Sequence, residues 1–101
     1  MTDDPLLQPI SIGPLQLPNR VAMTTVKLGY ATPAGEVTDR HTAFYVRRAR
    51  GKVGLLTTEP LFVQLNGREL PAQLGIHQDT LVGGLAELVR AVHAADARIV
   101  A

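Results

Sequence analysis

Ile10 and Ile12 alternate with polar neighbours, Gly13-Pro14 interrupts, and Leu15 and Leu17 resume the same period. A period of two on both sides of a Gly-Pro turn predicts a β-hairpin over 9–18. The apolar and β-branched run from Arg20 to Val26 predicts a short strand over about 20–26. Pro33, Gly35 and Thr38 mark the loop that follows. Thr38 or Asp39 is placed to cap a helix over 39–50, with Phe44 and Tyr45 on its inner side and Gly51 at its end. Val53 to Thr58 opens without polar alternation, the pattern of a strand covered on both faces, and predicts a strand over 53–58.

Leu81, Leu85, Leu88, Val89 and Val92 fall on one helical stripe and predict a helix over about 80–95, with Asp79 as its N-cap. Arg98-Ile99-Val100-Ala101 opens another strand, over 98–101. Strands joined by helices of this length are expected to be parallel. The order is therefore a β-hairpin followed by β-α-β-α-β. A pattern of this kind that stops within a strand reads as the front part of a larger α/β fold. An open sheet and a (β/α)8 barrel both remain open; the leading hairpin favours the barrel, because a hairpin can plug its bottom.

Glu59 to Gln78 has no clear element of its own. Connections longer than about 12–15 residues in compact domains are usually functional or disordered. This one carries Leu61, Phe62, Val63, Leu65, Leu70, Leu74 and Ile76, too many apolar side chains for a free linker. It is expected to pack over the C-terminal ends of the strands, where parallel α/β folds bind ligands.

Composition limits the function classes. Hydrophobic residues make up 46% and charged residues 19%, as in ordinary folded domains. A net charge of +1 gives no global field that would draw nucleic acid or an anionic membrane. Without cysteine there is no disulfide, thiolate or cysteine-bound metal, which suits a reducing compartment. Met1-Thr2-Asp3-Asp4-Pro5 lacks the basic and apolar regions of a secretory leader. No apolar run approaches the roughly 20 residues that span a bilayer. The expectation is a cytoplasmic protein with neither a nucleic-acid nor a membrane partner.

His41, His77 and His93 are dispersed over different elements and form no metal-ligand cluster. His41 and His93 read as surface residues of helices, His93 in a last turn where positive charge is favourable. Arg40, Arg47, Arg48, Arg50 and Lys52 are concentrated on and after the first helix. The choice is an anion patch or the solvated outer face of a helix with cations at its C-terminus; the second is preferred. Glu59, closing the second strand, has an active-site position and is equally well read as a structural carboxylate.

Several ordered motifs resemble the old yellow enzyme or NADH:flavin oxidoreductase family. They are Pro9-Ile10-Ser11-Ile12-Gly13-Pro14-Leu15-Gln16-Leu17-Pro18-Asn19-Arg20-Val21, Val37-Thr38-Asp39-Arg40 leading to Tyr45 and Arg48-Ala49, and Val53-Gly54-Leu55-Leu56-Thr57-Thr58-Glu59. Gly67-Arg68, Gln73-Leu74-Gly75-Ile76 and Leu88-Val89-Arg90-Ala91-Val92-His93 continue the match in the family's order across nearly all of 1–101. The resemblance implies the N-terminal part of a (β/α)8 TIM barrel that carries FMN across the strand ends. It also implies hydride passing from NAD(P)H to flavin and on to an activated alkene or similar acceptor.

Carried over by position, the resemblance places Thr24, Thr25, Val26 and Lys27 beside the flavin after the first strand, and Pro60 after the second. Thr25 stands where many relatives have proline. Lys27 stands where relatives often have Thr or Cys; its ammonium either stabilises reduced flavin or points to solvent. Pro60 can offer a carbonyl but no N–H. The family's catalytic and phosphate-gripping residues have no counterpart here, so no catalytic residue and no metal ligand is assigned. The implied partners are a small-molecule substrate once the barrel is complete and the remainder of the barrel, on this or another chain. A piece inactive alone, a non-catalytic subunit of a split barrel and a small independent α/β binding domain are three readings of the same pattern. Lys52 and Asp96 stand where relatives commonly have glycine; a positive φ at either would cost on the order of 1 kcal/mol.

Overall fold

The structure is a computed structural model that describes residues 3–101. Its elements are β1 (Ile10–Ile12), β2 (Leu15–Leu17), β3 (Ala22–Met23), α1 (Asp39–Arg50), β4 (Leu55–Thr57), α2 (Val82–Ala94) and β5 (Arg98–Val100). β1 and β2 form an antiparallel hairpin with Ile12 opposite Leu15. β3, β4 and β5 form a parallel sheet in sequential order. This is the expected hairpin followed by β-α-β-α-β.

Register explains the core. Met23 lies opposite Leu56, and Leu56 opposite Ile99, so one cross-strand row points one way. That row meets Tyr45 and Ala49 of α1 and Leu88 and Val92 of α2. β4 is not covered on both faces, as its apolar run suggests. Leu56 is fully buried, while Leu55 and Thr57 on the opposite face are half-buried. The helices cover one face of the sheet.

α1 starts at Thr38, whose extended backbone makes it the N-cap. Arg47, Arg48 and Arg50 crowd the last turn, where the helix dipole favours cations. Asp79 does not cap α2. Asp79–Leu81 is a separate 3-10 turn, and α2 follows it from an N-cap at Leu81 with no side-chain bond. Beyond both helices the chain turns through a left-handed residue: Lys52 has φ 74° and Asp96 φ 63°.

α2 keeps its stripe but only partly covers it. Leu81, Leu88 and Val92 are buried; Leu85 and Val89 are half-buried and line an apolar groove of about 340 Å³ against Ile99 and Val100. The hairpin likewise leaves Ile10 and Ile12 exposed. Among the described residues no helix is long and apolar enough to cross a membrane.

The connection over 59–78 is ordered around two points. Phe62 and Gly75 form a parallel bridge, with Phe62 N–H donating to the Leu74 carbonyl at 3.1 Å and Ile76 N–H to the Phe62 carbonyl at 2.9 Å. Gly75 N–H then donates to the Gly35 carbonyl at 3.0 Å, joining this connection to the loop before α1. The two backbones cross so closely that a Cβ on Gly35 would lie 3.1 Å from Gly75 N, and one on Gly75 would lie 2.7 Å from the ring atom Phe62 Cζ. Phe62 and Leu74 are buried, but Val63, Leu65, Leu70 and Ile76 stay exposed. The packing expected of this segment is therefore concentrated in two side chains.

Candidate functional site

The C-terminal ends of β3, β4 and β5 open into a cavity of about 340 Å³, within the range of small-molecule sites. Its walls include Thr25, Thr58, Glu59, Pro60, Leu61 and Ile76. The Thr25 hydroxyl donates to the Thr58 carbonyl at 2.8 Å, which ties the segment after β3 to the end of β4. Of the residues selected from sequence, Thr25 and Pro60 meet in this cavity. Thr24, Val26 and Lys27 are exposed on the segment beyond β3 and do not line it. Lys27 forms an ion pair with Glu69 of the long connection, and the two side chains are 57% and 56% exposed.

Glu59 is buried, and each of its polar groups near the cavity has a partner. Its N–H donates to the Tyr45 hydroxyl at 2.7 Å. Oε1 accepts from Leu74 N–H at 2.9 Å, and Oε2 lies 3.1 Å from His41 Nε2. His41 Nδ1 accepts from Thr38 N–H at 3.0 Å. A backbone N–H can only donate, so the proton of a neutral His41 sits on Nε2 and is given to Glu59. The carboxylate thus links the start of α1 to the far arm of the long connection.

This overturns the surface assignment of His41, which is fully buried. His41, Tyr45 and Ala49 are spaced by four and share the inner face of α1. That spacing was the available signal, and the polarity of imidazole obscured it. His93 is exposed in the last turn of α2. Burial pushes the Tyr45 hydroxyl up to about 12. The hydrogen bond from Glu59 N–H acts in the opposite sense, and the Glu59 carboxylate adds to the rise.

Pro60 is held in place by a side chain from the long connection. Its carbonyl already accepts from Gln73 Nε2 at 2.8 Å. Gln73 Oε1 accepts from the N–H groups of Glu69 and Leu70 at 2.7 and 3.3 Å, so one buried amide holds both arms of the connection. With one lone pair of its carbonyl taken by Gln73, Pro60 keeps a second for a ligand. Sequence reasoning did not select Gln73 for this role; only the fold brings it to Pro60.

Two arginines on α1 stack on aromatic rings at the surface. Arg40 lies 4.0 Å from the Tyr30 ring centroid and Arg48 3.7 Å from that of Phe44. Arg47 and Arg50 are exposed. Among the described residues no group of three or more His, Cys, Asp or Glu side chains is placed to hold a metal ion.

The pattern of the NADH:flavin oxidoreductase / NADH oxidase family matches residues 5–101. The chain is 43% identical over 96 residues to a metal reductase of Desulforamulus reducens, covering 95% of this chain and 14% of that protein. It is 36% identical over 89 residues to an NADPH dehydrogenase of Bacillus subtilis, covering 86% of this chain and 26% of that protein. Its fold matches an Old Yellow Enzyme from a Pichia species with a TM-score of 0.90 and 27% identity, over 98% of this chain and 26% of that one. The chain thus spans about a quarter or less of the length of these relatives.

Proposed function

The chain belongs to the NADH:flavin oxidoreductase / NADH oxidase family, and from that premise we propose that it builds the first part of an FMN-dependent NAD(P)H oxidoreductase barrel. The observation that carries this reading is the cavity at the C-terminal ends of three sequential parallel strands, with Thr25 and Pro60 in one wall. Ligands of parallel barrels bind at that end.

The residues there fit a flat, partly polar ring system. Pro60, Leu61 and Ile76 give the cavity apolar surface, and Thr25, Thr57 and Thr58 give it hydroxyls. Thr25 and Pro60 are assigned to the FMN ring from the cavity wall, while Thr24, Val26 and Lys27, which lie outside the cavity, are assigned to its edge by family position alone. FMN, when bound, supplies the hydride chemistry between NAD(P)H and an activated alkene or similar acceptor. The chain's own part is placement: Thr25 fixes the first loop to β4, and the long connection closes one side against water. Turnover rests on residues outside these 101.

The uncovered apolar groove between α2 and β5 supports the view that further barrel elements pack there. The test is to express this chain with the remaining strands of a family barrel, in one chain or two. The expected product carries one FMN per barrel and oxidises NAD(P)H. A folded, completed barrel that does not retain FMN overturns the proposal.

A further inference from the structure

Glu59 borders the cavity, yet both of its carboxylate oxygens are turned to the protein. Oε2 accepts a hydrogen bond from His41 Nε2–H at 3.1 Å, and Oε1 accepts one from Leu74 N–H at 2.9 Å. His41 cannot turn to another partner without giving up Thr38 N–H at 3.0 Å. His41 and Glu59 are both buried, at 0% and 2% exposure, so water does not compete for these contacts. An acid so fully committed is poorly placed to exchange a proton with a ligand.

Its effect passes along the backbone instead. Leu74 is held by its N–H to Glu59, and its carbonyl accepts from Phe62 N–H at 3.1 Å. The Phe62 carbonyl accepts from Ile76 N–H at 2.9 Å. Pro60 follows Glu59 directly, and Ile76 stands two residues beyond Leu74; both line the cavity. One carboxylate therefore sets the spacing between the two arms of the connection where they form the cavity wall.

We propose that His41 and Glu59 are a positioning pair that fixes the 60–76 segment as a wall of the cofactor cavity, a role that rests on the FMN reading above. Thr38 N–H selects the tautomer, His41 Nε2–H donates a hydrogen bond to Glu59, and Glu59 holds Leu74. The pair touches neither flavin nor substrate. It determines where Pro60 and Ile76 stand when flavin arrives. Its partners are Thr38 at the start of α1, Tyr45 within α1 and Leu74 on the long connection, and the Tyr30 ring packs edge-on against His41 at 5.7 Å.

The test compares variants of the completed barrel described above by amide hydrogen exchange and by titration with free FMN. Glu59→Met keeps length and apolar fit but removes both acceptors. Exchange at Leu74 and Ile76 is expected to rise about tenfold or more, with FMN affinity falling about tenfold. His41→Gln is the conservative rescue. A glutamine three residues after the N-cap can accept from Thr38 N–H and donate to Glu59, so both readouts should stay within about twofold of the parent. Unchanged Leu74 and Ile76 exchange in Glu59→Met overturns the proposal, as does loss of protection in His41→Gln equal to that in Glu59→Met. If Glu59→Met does not fold, Glu59→Gln decides. Either orientation of its amide sets a donor against a donor, at Leu74 or at His41. Retention of both the parental Leu74 exchange and the His41 Nε2–H signal then overturns the pair. A parent protein that leaves FMN fluorescence unchanged fails the proposed function, and the exchange comparison still decides the pair.

Discussion

The side chain of Asn19 occupies the space that a Cβ on Gly54 would need. An added Cβ would lie 2.5 Å from Asn19 Oδ1 and 2.7 Å from the Asn19 carbonyl oxygen, with the Val21 carbonyl at 3.1 Å. Asn19 cannot withdraw freely: Nδ2 donates to the Lys52 carbonyl at 2.7 Å, and Oδ1 accepts from Val21 N–H at 3.0 Å. This contact aligns the entry to β3 with the entry to β4.

Gly54→Ala is therefore expected to destabilise the fold by about 2–3 kcal/mol, because two of the three clashing atoms are backbone. Urea unfolding of parent and variant measures it. A loss below about 0.5 kcal/mol would show that the two segments shift apart easily.

Lys52 and Asp96 are the non-glycine residues with positive φ among the described residues. Lys52→Gly is expected to stabilise by about 1 kcal/mol and Asp96→Gly by less, since Asp tolerates the left-handed region better. Thermal melts of the two single variants and the double variant check both the sign and the order.

Tyr45 makes stability fall at high pH. Its hydroxyl is raised to about 12 from an ordinary value of 10.0. The folded state holds that proton more tightly than the unfolded chain, so the contribution is full below pH 10 and is lost as pH rises toward 12. Tyr45→Phe should remove this alkaline loss. It should also cost about 1–3 kcal/mol at neutral pH, because Glu59 N–H loses its acceptor. Denaturant midpoints between pH 8 and pH 12 read both effects.

Gln73→Ala removes an amide that serves one carbonyl and two N–H groups. A loss of about 2 kcal/mol is expected, together with faster proteolysis within 60–73. Gln73→Glu should fall between parent and alanine variant, since a carboxylate still accepts from Glu69 and Leu70 but cannot donate to Pro60. Limited proteolysis and calorimetry together separate the three proteins.

Lys27→Met should change stability by less than about 1 kcal/mol, because the pair with Glu69 is more than half exposed. The difference should vanish in molar salt, where screening acts over about 3 Å. A large loss that persists in high salt would place the Lys27 stem, rather than its charge, in the packing.

The parts legible in sequence were those governed by local periodicity. The alternation around Gly13-Pro14 marks the hairpin, and the stripe from Leu81 to Val92 marks the inner face of α2. The ordered motifs from Pro9 to His93 identified the family. The parts that were not legible depended on distant partners. His41 looked like a surface residue because imidazole is polar, and only Glu59 and Thr38 make its burial tolerable. Gln73, thirteen positions from Pro60, gave no sign in sequence that its amide would hold the Pro60 carbonyl.

The sequence by itself determined the order of elements and the parallel β-α-β-α-β arrangement, because hydrophobic period and chain order act over one or two turns of structure, and its ordered motifs carried the family resemblance. Only the tertiary structure decided that Leu56 has helices on one face alone, that Glu59 faces inward, and that Thr25 and Pro60 share a cavity while Lys27 pairs with Glu69. The physical reason is that a buried polar group is fixed by where its partners lie in space. Glu59 and Leu74, fifteen positions apart, become neighbours only when the long connection folds back over the strand ends.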